Sequence, residues 1–371
     1  MNKSERDNLL DGWRGIAVLA VLFGHAVHFR FGRLFPQKTV REVLEQSAAS
    51  PFELVGYVIN RLAWAASTSG VYVFFAISGY IISLLLIREQ QRHGAISIKA
   101  FYIRRAFRIL PAFICYVTTC CVLRQMGEIQ FATSELFAVF TFTANLDFWN
   151  VGWFFTHIWS LSVEEQFYIV WPISVSLLPE RMRSPILITL SVLFGALTIA
   201  GIPVKHAVSF HCIALGALYA CNATFRELIG RASGWSGFII ASLFITMQPN
   251  LMSLALLYRA MQAVLPLVIV YLVFSSRDVN GLKSIIESNP FRSIGLISYS
   301  LYLWQQLFLA FPDSYLMWVP SLWLLPVVAV LSYWVVEVPC IRMGRSLASA
   351  VQTAHCPAEK SALEIEPSIA G

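Results

Sequence analysis

The chain reads as an all-α protein, a polytopic transmembrane helix bundle of about ten spans with both termini cytoplasmic. Three observations lead there. The first is composition: of 371 residues, 57% are hydrophobic and 13% charged, with a mean hydropathy of +0.65. An ordinary soluble domain carries about 25% charged residues. Half that share cannot coat a soluble surface of this size, which excludes a cytosolic enzyme, a nucleic-acid binder and a disordered chain. The second is the recurrence of apolar windows of bilayer length. The third is the gathering of basic residues in alternate loops. That bias accounts for a net charge of +6 and an isoelectric point near 9.0 without nucleic acid as a partner.

A hydrocarbon core of ~30 Å needs roughly 20 apolar residues per helix. Windows of that kind lie near 12–31, 68–87, 109–123, 159–178, 184–201, 207–222, 235–249, 258–275, 293–311 and 319–340. An eleventh, 131–148, is interrupted by Glu135, Asn145 and Asp147. Loop charge decides its fate. The stretch 88–108 carries Arg88, Arg92, Lys99, Arg104, Arg105 and Arg108 against a single acid, Glu89, and belongs in the cytoplasm. If 131–148 does not cross, Arg181 and Arg183, Arg226 and Arg231, the group Arg277, Lys283 and Arg292, and the pair Arg342 and Arg345 all join it there. If it crosses, the first three of these sets move outside, unless a later segment is dropped too. Ten spans follow.

The segments 32–67 and 124–158 then become outer loops. The second is partly re-entrant, and its Phe140, Phe142, Phe148, Trp149, Trp153 and Phe154 suit either interfacial anchoring or stacking on sugars. A membrane domain over 1–345 precedes a polar, acidic stretch, 346–371, expected to be a disordered tail. The first apolar run has no A-x-A cleavage site and carries Arg14, His25 and His28, so it reads as a retained helix. Cys115, Cys120, Cys121, Cys212 and Cys221 sit inside apolar runs as small hydrophobes, and no CxxC or CxxH spacing marks a metal or redox site.

Ionisable groups inside a bilayer are expensive, and each is a candidate for function. Arg14 and His25 are 11 residues apart, three helical turns, so they share one face about 16 Å apart along the axis. A packing histidine and a snorkelling anchor are the structural alternatives. Arg104, Arg105 and Arg108 stand before the third span, with Arg104 and Arg108 as i,i+4 neighbours. They serve as a topology signal or as a phosphate clamp, since guanidinium groups bind phosphate bidentately. Glu164 and Glu165 lie in the outer part of the fourth span with Tyr168 one turn below Glu164. Adjacent acids on a helix face different directions, and a salt bridge to another helix is the structural alternative. Gly70, Ser78 and Gly79 allow close helix approach. Ser298, Tyr299, Tyr302, Gln305 and Glu337 complete the polar set.

In order along the chain, LDGWRGIAVLAVLFGHAVHF (10–29), GVYVFFAISGYIISLLL (70–86), FYIRRAFRILP (101–111), WSLSVEEQFYIVWP (159–172), ISYSLYLWQQ (297–306) and VVEVPC (335–340) resemble the acyltransferase 3 family. These are integral membrane O-acyltransferases of bacterial surface glycans, among them O-antigen, exopolysaccharide and nodulation-factor acetyltransferases. The resemblance implies a multi-pass protein of the bacterial inner membrane. It would move an acetyl or other acyl group from cytoplasmic acyl-CoA to a hydroxyl of an extracytoplasmic or lipid-linked glycan, without a metal. It implies His25 as the catalytic residue, with Glu164 and Glu165 as its acidic partners. It implies Arg14, Arg105, Arg108 and Ser78 at the acetyl-CoA donor site. One departure stands out: many members read YLWH where this chain has Trp304-Gln305, and an amide does not titrate. A general-base and an acyl-histidine route both remain open for His25. The rival class is a transporter or flippase with a His/Glu proton relay. It calls for inverted repeats and Gly/Pro-interrupted helices in matching halves, which the sequence lacks.

Overall fold

The first helix starts where a side chain satisfies its open backbone amides. Asp7 caps α1 (Asn8–His25), its carboxylate accepting from the Leu9 and Leu10 amides at 3.1 and 3.4 Å and from the Arg277 guanidinium at 2.5 Å. The computed structural model describes residues 7–30, 51–202, 204–248, 254–309 and 323–355, with no strand among them. A wider, π-type turn over Ala26–Arg30 ends α1. Then follow α2 (Pro51–His93), α3 (Ile98–Gln125), α4 (Thr133–Phe140), α5 (Trp153–Thr156), α6 (Ile158–Leu177), α7 (Glu180–Ala200) and α8 (Val204–Cys221). The second half comprises α9 (Ala223–Arg231), α10 (Trp235–Met247), α11 (Ala255–Ser275), α12 (Leu282–Ile286), α13 (Asn289–Leu296), α14 (Ser298–Phe308) and α15 (Leu324–Leu331). A second π-type turn, Ser332–Glu337, leads into α16 (Val338–His355).

At the centre, α2 lies between α1 and α8, α13 crosses the start of α1, and α3 runs beside α16. Small residues set these distances. A Cβ on Gly79 would strike the carbonyl oxygen of Ile213, and one on Gly216 would strike that of Ala76, so the backbones of α2 and α8 touch there. Gly79→Leu is therefore expected to destabilise the fold by about 1–3 kcal/mol through overpacking. The check is a lower unfolding midpoint of the detergent-solubilised protein.

Among the described residues, six helices are long and apolar enough to cross a membrane: 8–28, 55–93, 98–125, 180–200, 255–275 and 324–352. The pair His206–Cys221 and Ala223–Arg231, bent by 100°, makes a seventh if it counts as one span. This corrects the count of ten, and the reasons are local. The window 235–249 folds as a 13-residue helix. The window 293–311 breaks at Ile297 into two short helices, and its last two residues lie outside the described set. The window 159–178 does form a 20-residue helix with Ile169, Val170, Ile173 and Leu177 exposed, but Glu164, Glu165 and Gln166 keep it from being apolar enough to count among the six.

The segment 131–148 contains the eight residues of α4, about 12 Å of helix, and the start of a 3-10 turn over Asp147–Trp149. Its Glu135 accepts from the Ala132 and Gly152 amides, both at 2.8 Å, and ties the loop to itself. Two further expectations change. Residues 51–67 are helical and continuous with the second apolar window rather than part of an outer loop, while 32–50 lie outside the described residues. Residues 346–355 belong to α16 rather than to a disordered tail, and 356–371 lie outside the described residues.

Candidate active site

Two cavities meet inside the bundle, and each is built around one end of the α1 face that carries Arg14 and His25. The first, about 110 Å³, is lined by Arg14 from α1, Ser78 from α2, Arg105 and Arg108 from α3, and Glu164 and Tyr168 from α6. Three guanidinium groups thus face one carboxylate. Both oxygens of Glu164 are held: the Ser78 hydroxyl donates to Oε1 at 2.8 Å and the Tyr168 hydroxyl to Oε2 at 3.1 Å. The Arg105 guanidinium lies 5.3 Å from the Tyr168 ring centre and 5.7 Å from that of Phe101, a cation–π seat on two faces. Arg14 sits 3.7 Å from Asp11, its i+3 neighbour toward the helix start. A chamber of this charge suits a ligand with several negative oxygens.

The helical register sorts the candidate residues here. Arg105 and Arg108, three apart, enter the cavity together. Arg104, expected to pair with Arg108 on one face, instead donates to Glu89 at 2.7 Å and ties α3 to α2. Ser78 and Gly79 divide their work: the serine binds Glu164, the glycine packs against α8. Glu165 points away from the cavity, and its Oε1 is buried without a hydrogen-bond partner. Glu337, 4% exposed, accepts from the Ser300 hydroxyl and clamps the last π-type turn to α14.

The second cavity, about 410 Å³, surrounds His25. Its walls are aromatic, with Trp64 and Tyr72 from α2, Trp153 from α5, Trp159 from α6 and Tyr258 from α11. Hydroxyls of Ser67 and Thr68 and the amides of Gln262 and Gln306 add polar atoms. Nδ1 of His25 lies 3.0 Å from Oε1 of Gln305, which is fully buried on α14. The hydrogen-bond partner of this nitrogen is thus an amide oxygen of the late YLWQQ segment, and not Glu164, whose oxygens are taken up in the other chamber. Among the described residues, no group of His, Cys, Asp or Glu is arranged to hold a metal ion.

Val71, His157 and Tyr302 line both cavities and form the neck between them. The Tyr302 hydroxyl is 2.6 Å from Ser160 Oγ and donates to the His157 carbonyl at 3.2 Å, which fixes the ring across the neck. The His157 ring lies edge-on to Tyr116 at 5.4 Å and 5.7 Å from Tyr302. It is 2% exposed; the backbone of Leu303 lies within reach of the ring, and no side chain among the described residues bonds either nitrogen. Sequence reasoning missed His157 because it stands just ahead of the apolar window. Its one visible signal was a titratable residue two positions before Trp159 in WSLSVEEQ.

The model of a family described as acyltransferase domain matches residues 7–337, nearly the whole chain. Among curated proteins, the peptidoglycan O-acetyltransferase OatA of Listeria monocytogenes is 25% identical over 313 residues, covering 73% of this chain and 49% of the relative. The O-acetyltransferase OatA of Staphylococcus aureus is 24% identical over 341 residues, covering 79% of this chain and 56% of the relative. The chain thus spans about half the length of these two relatives. No solved structure matches it. A match that takes in α1 with Arg14 and His25, the arginines of α3 and the acids of α6 leaves one assignment: the chain belongs to the acyltransferase domain family.

Proposed function

We propose that this protein is a membrane O-acetyltransferase. In this reading it moves an acetyl group from cytoplasmic acetyl-CoA, or another acyl group from its CoA thioester, to a hydroxyl of an extracytoplasmic or lipid-linked glycan. The observation that carries the proposal is the meeting of an arginine-lined cavity and a histidine-bearing aromatic cavity at one neck. Donor and acceptor enter from opposite sides and need touch only there. Basic loops retained on the cytoplasmic side put the Arg14 end of α1 inward. The names of the relatives, O-acetyltransferases and in one case of peptidoglycan, agree with a glycan acceptor for this chain.

In this reading Arg14, Arg105 and Arg108 take the CoA phosphates, and Glu164, held by Ser78 and Tyr168, spaces the arginines. The pantetheine arm carries the thioester to the neck. Tryptophan and tyrosine faces stack on the acceptor sugar, whose hydroxyl lies against His25. The hydroxyl oxygen bonds the thioester carbonyl carbon while its proton passes to the imidazole. The C–S bond then breaks, and the proton goes on to the leaving thiolate, giving an ester and free CoA thiol. The same imidazole lone pair also serves an acyl-histidine route, in which acyl transfer to nitrogen precedes attack by the hydroxyl.

The test uses membranes containing the full chain, incubated with acetyl-CoA labelled in the acetyl group. Label is expected in glycan or lipid-linked saccharide, and absent with His25→Ala. Translocation of an unmodified saccharide with no label incorporated would overturn the proposal in favour of transport.

A further inference from the structure

The amide at position 305 is held in one orientation. Gln305 is fully buried on α14, and its Nε2 donates to the Tyr302 carbonyl at 3.0 Å. A carbonyl oxygen only accepts, so the nitrogen of the carboxamide must face it and the oxygen must face the other way. That oxygen is the atom 3.0 Å from Nδ1 of His25. An amide oxygen also only accepts, so the shared proton belongs to the imidazole, on Nδ1. The neutral ring then carries its lone pair on Nε2.

From this we infer that Gln305 is a positioning residue, which selects the Nδ1–H tautomer of His25 and makes Nε2 the nitrogen that takes up the proton or the acyl group. The inference rests on the reading of His25 given under Proposed function and goes further, by naming the reacting atom and what selects it. The chain Tyr302 carbonyl, Gln305 amide, His25 Nδ1 is a relay of orientation, not of charge. None of its members other than the imidazole titrates, so the ring is held without an anion that would favour its protonated form. Among the described residues, the titratable groups around it include His28 one turn on, Tyr72 from α2, His157 at the start of α6, Tyr258 from α11 and Tyr302 from α14. Among the described residues lining the chamber there is no carboxylate and no arginine. An acid introduced at position 305 would be the first among the described residues of the chamber.

Two variants in membranes of the full chain test this, with His25→Ala as reference. Gln305→Leu keeps the volume but leaves Nδ1–H without an acceptor. It is expected to lower kcat by at least about tenfold, a modest share of what loss of a tautomer-fixing partner removes, with the donor KM unchanged. Gln305→Glu keeps the shape and adds an anion at hydrogen-bond distance, which favours the protonated ring. Its activity should rise with pH later than that of the native protein, by about one pH unit or more. The inference is overturned if Gln305→Leu keeps the native kcat. It also fails if Gln305→Glu shows the native pH profile, or is inactive at every pH, as a purely structural residue would make it. Activity persisting in His25→Ala instead rejects the underlying function, and so separates the two failures.

Discussion

His25→Ala is expected to lower acyl transfer by about 10²–10⁴-fold, the usual share of a positioned general base. A route through acyl-histidine puts the loss at the upper end, since no intermediate then forms. The argument is geometric. His25 is the titratable side chain of α1 that lines the aromatic chamber, with its orientation fixed by a buried amide. No carboxylate among the described residues of that chamber stands ready to replace it as a base. The loss should appear in kcat, with donor KM close to native, because the guanidinium groups lie in the other cavity. Steady-state transfer assays on membranes with matched protein levels provide the check. A proportional rise in donor KM with native kcat would contradict the separation of the two chambers.

Arg105→Glu is expected to have the second largest effect, and on the opposite parameter. Loss of charge-assisted hydrogen bonds worth about 1.5–3 kcal/mol raises the apparent donor KM by roughly 10–100-fold. The new carboxylate would also stand in the chamber of Glu164, turning three cations against one anion into two against two. Repulsion of a polyanionic donor follows. Arg108→Gln should act in the same direction but less, because it only removes a charge. An acyl-pantetheine donor, which carries the thioester without phosphates, supplies the contrast: native protein and Arg105→Glu should use it alike. If the variant loses both donors equally, Arg105 supports the fold rather than the phosphates.

Much of this site was legible in the sequence, because helices are regular. The 11-residue spacing of Arg14 and His25 predicts one face, and that face runs along both cavities. Arg105 and Arg108 were legible as a basic pair, but only the structure separates them from Arg104, since a lone hydrogen bond to Glu89 on another helix decides the matter. His157 and Tyr302 meet across 145 positions of sequence, a contact set by how α6 and α14 cross and not by any local pattern.

The expected ten spans exceed the six or seven candidates among the described residues for a related reason. An apolar window measures reluctance to face water, and a short helix buried among other helices satisfies it as well as a crossing does. Hence 293–311 reads as one span although Ser298, Ser300, Gln305 and Gln306 of α14 are all buried. Conversely, Asn60 and Arg61 lower the hydropathy of 51–67 enough to suggest a loop, yet the helix carries on through them.

The neck of Val71, His157 and Tyr302 has an electrical meaning. Where water-filled chambers approach from both faces of a membrane, the ~30 Å insulator is thinned to the side chains between them, and the transmembrane voltage falls across that layer. A unit charge crossing it would gain or lose about 2.3 kcal/mol per 100 mV. In the proposed reaction the acyl group handed over at the neck is neutral, while the CoA phosphates would stay with the arginines, outside the field. On that proposal, transfer through the gap is electrically silent, and a seal two aromatic rings and a valine wide would let acyl groups pass outward without a leak of charge.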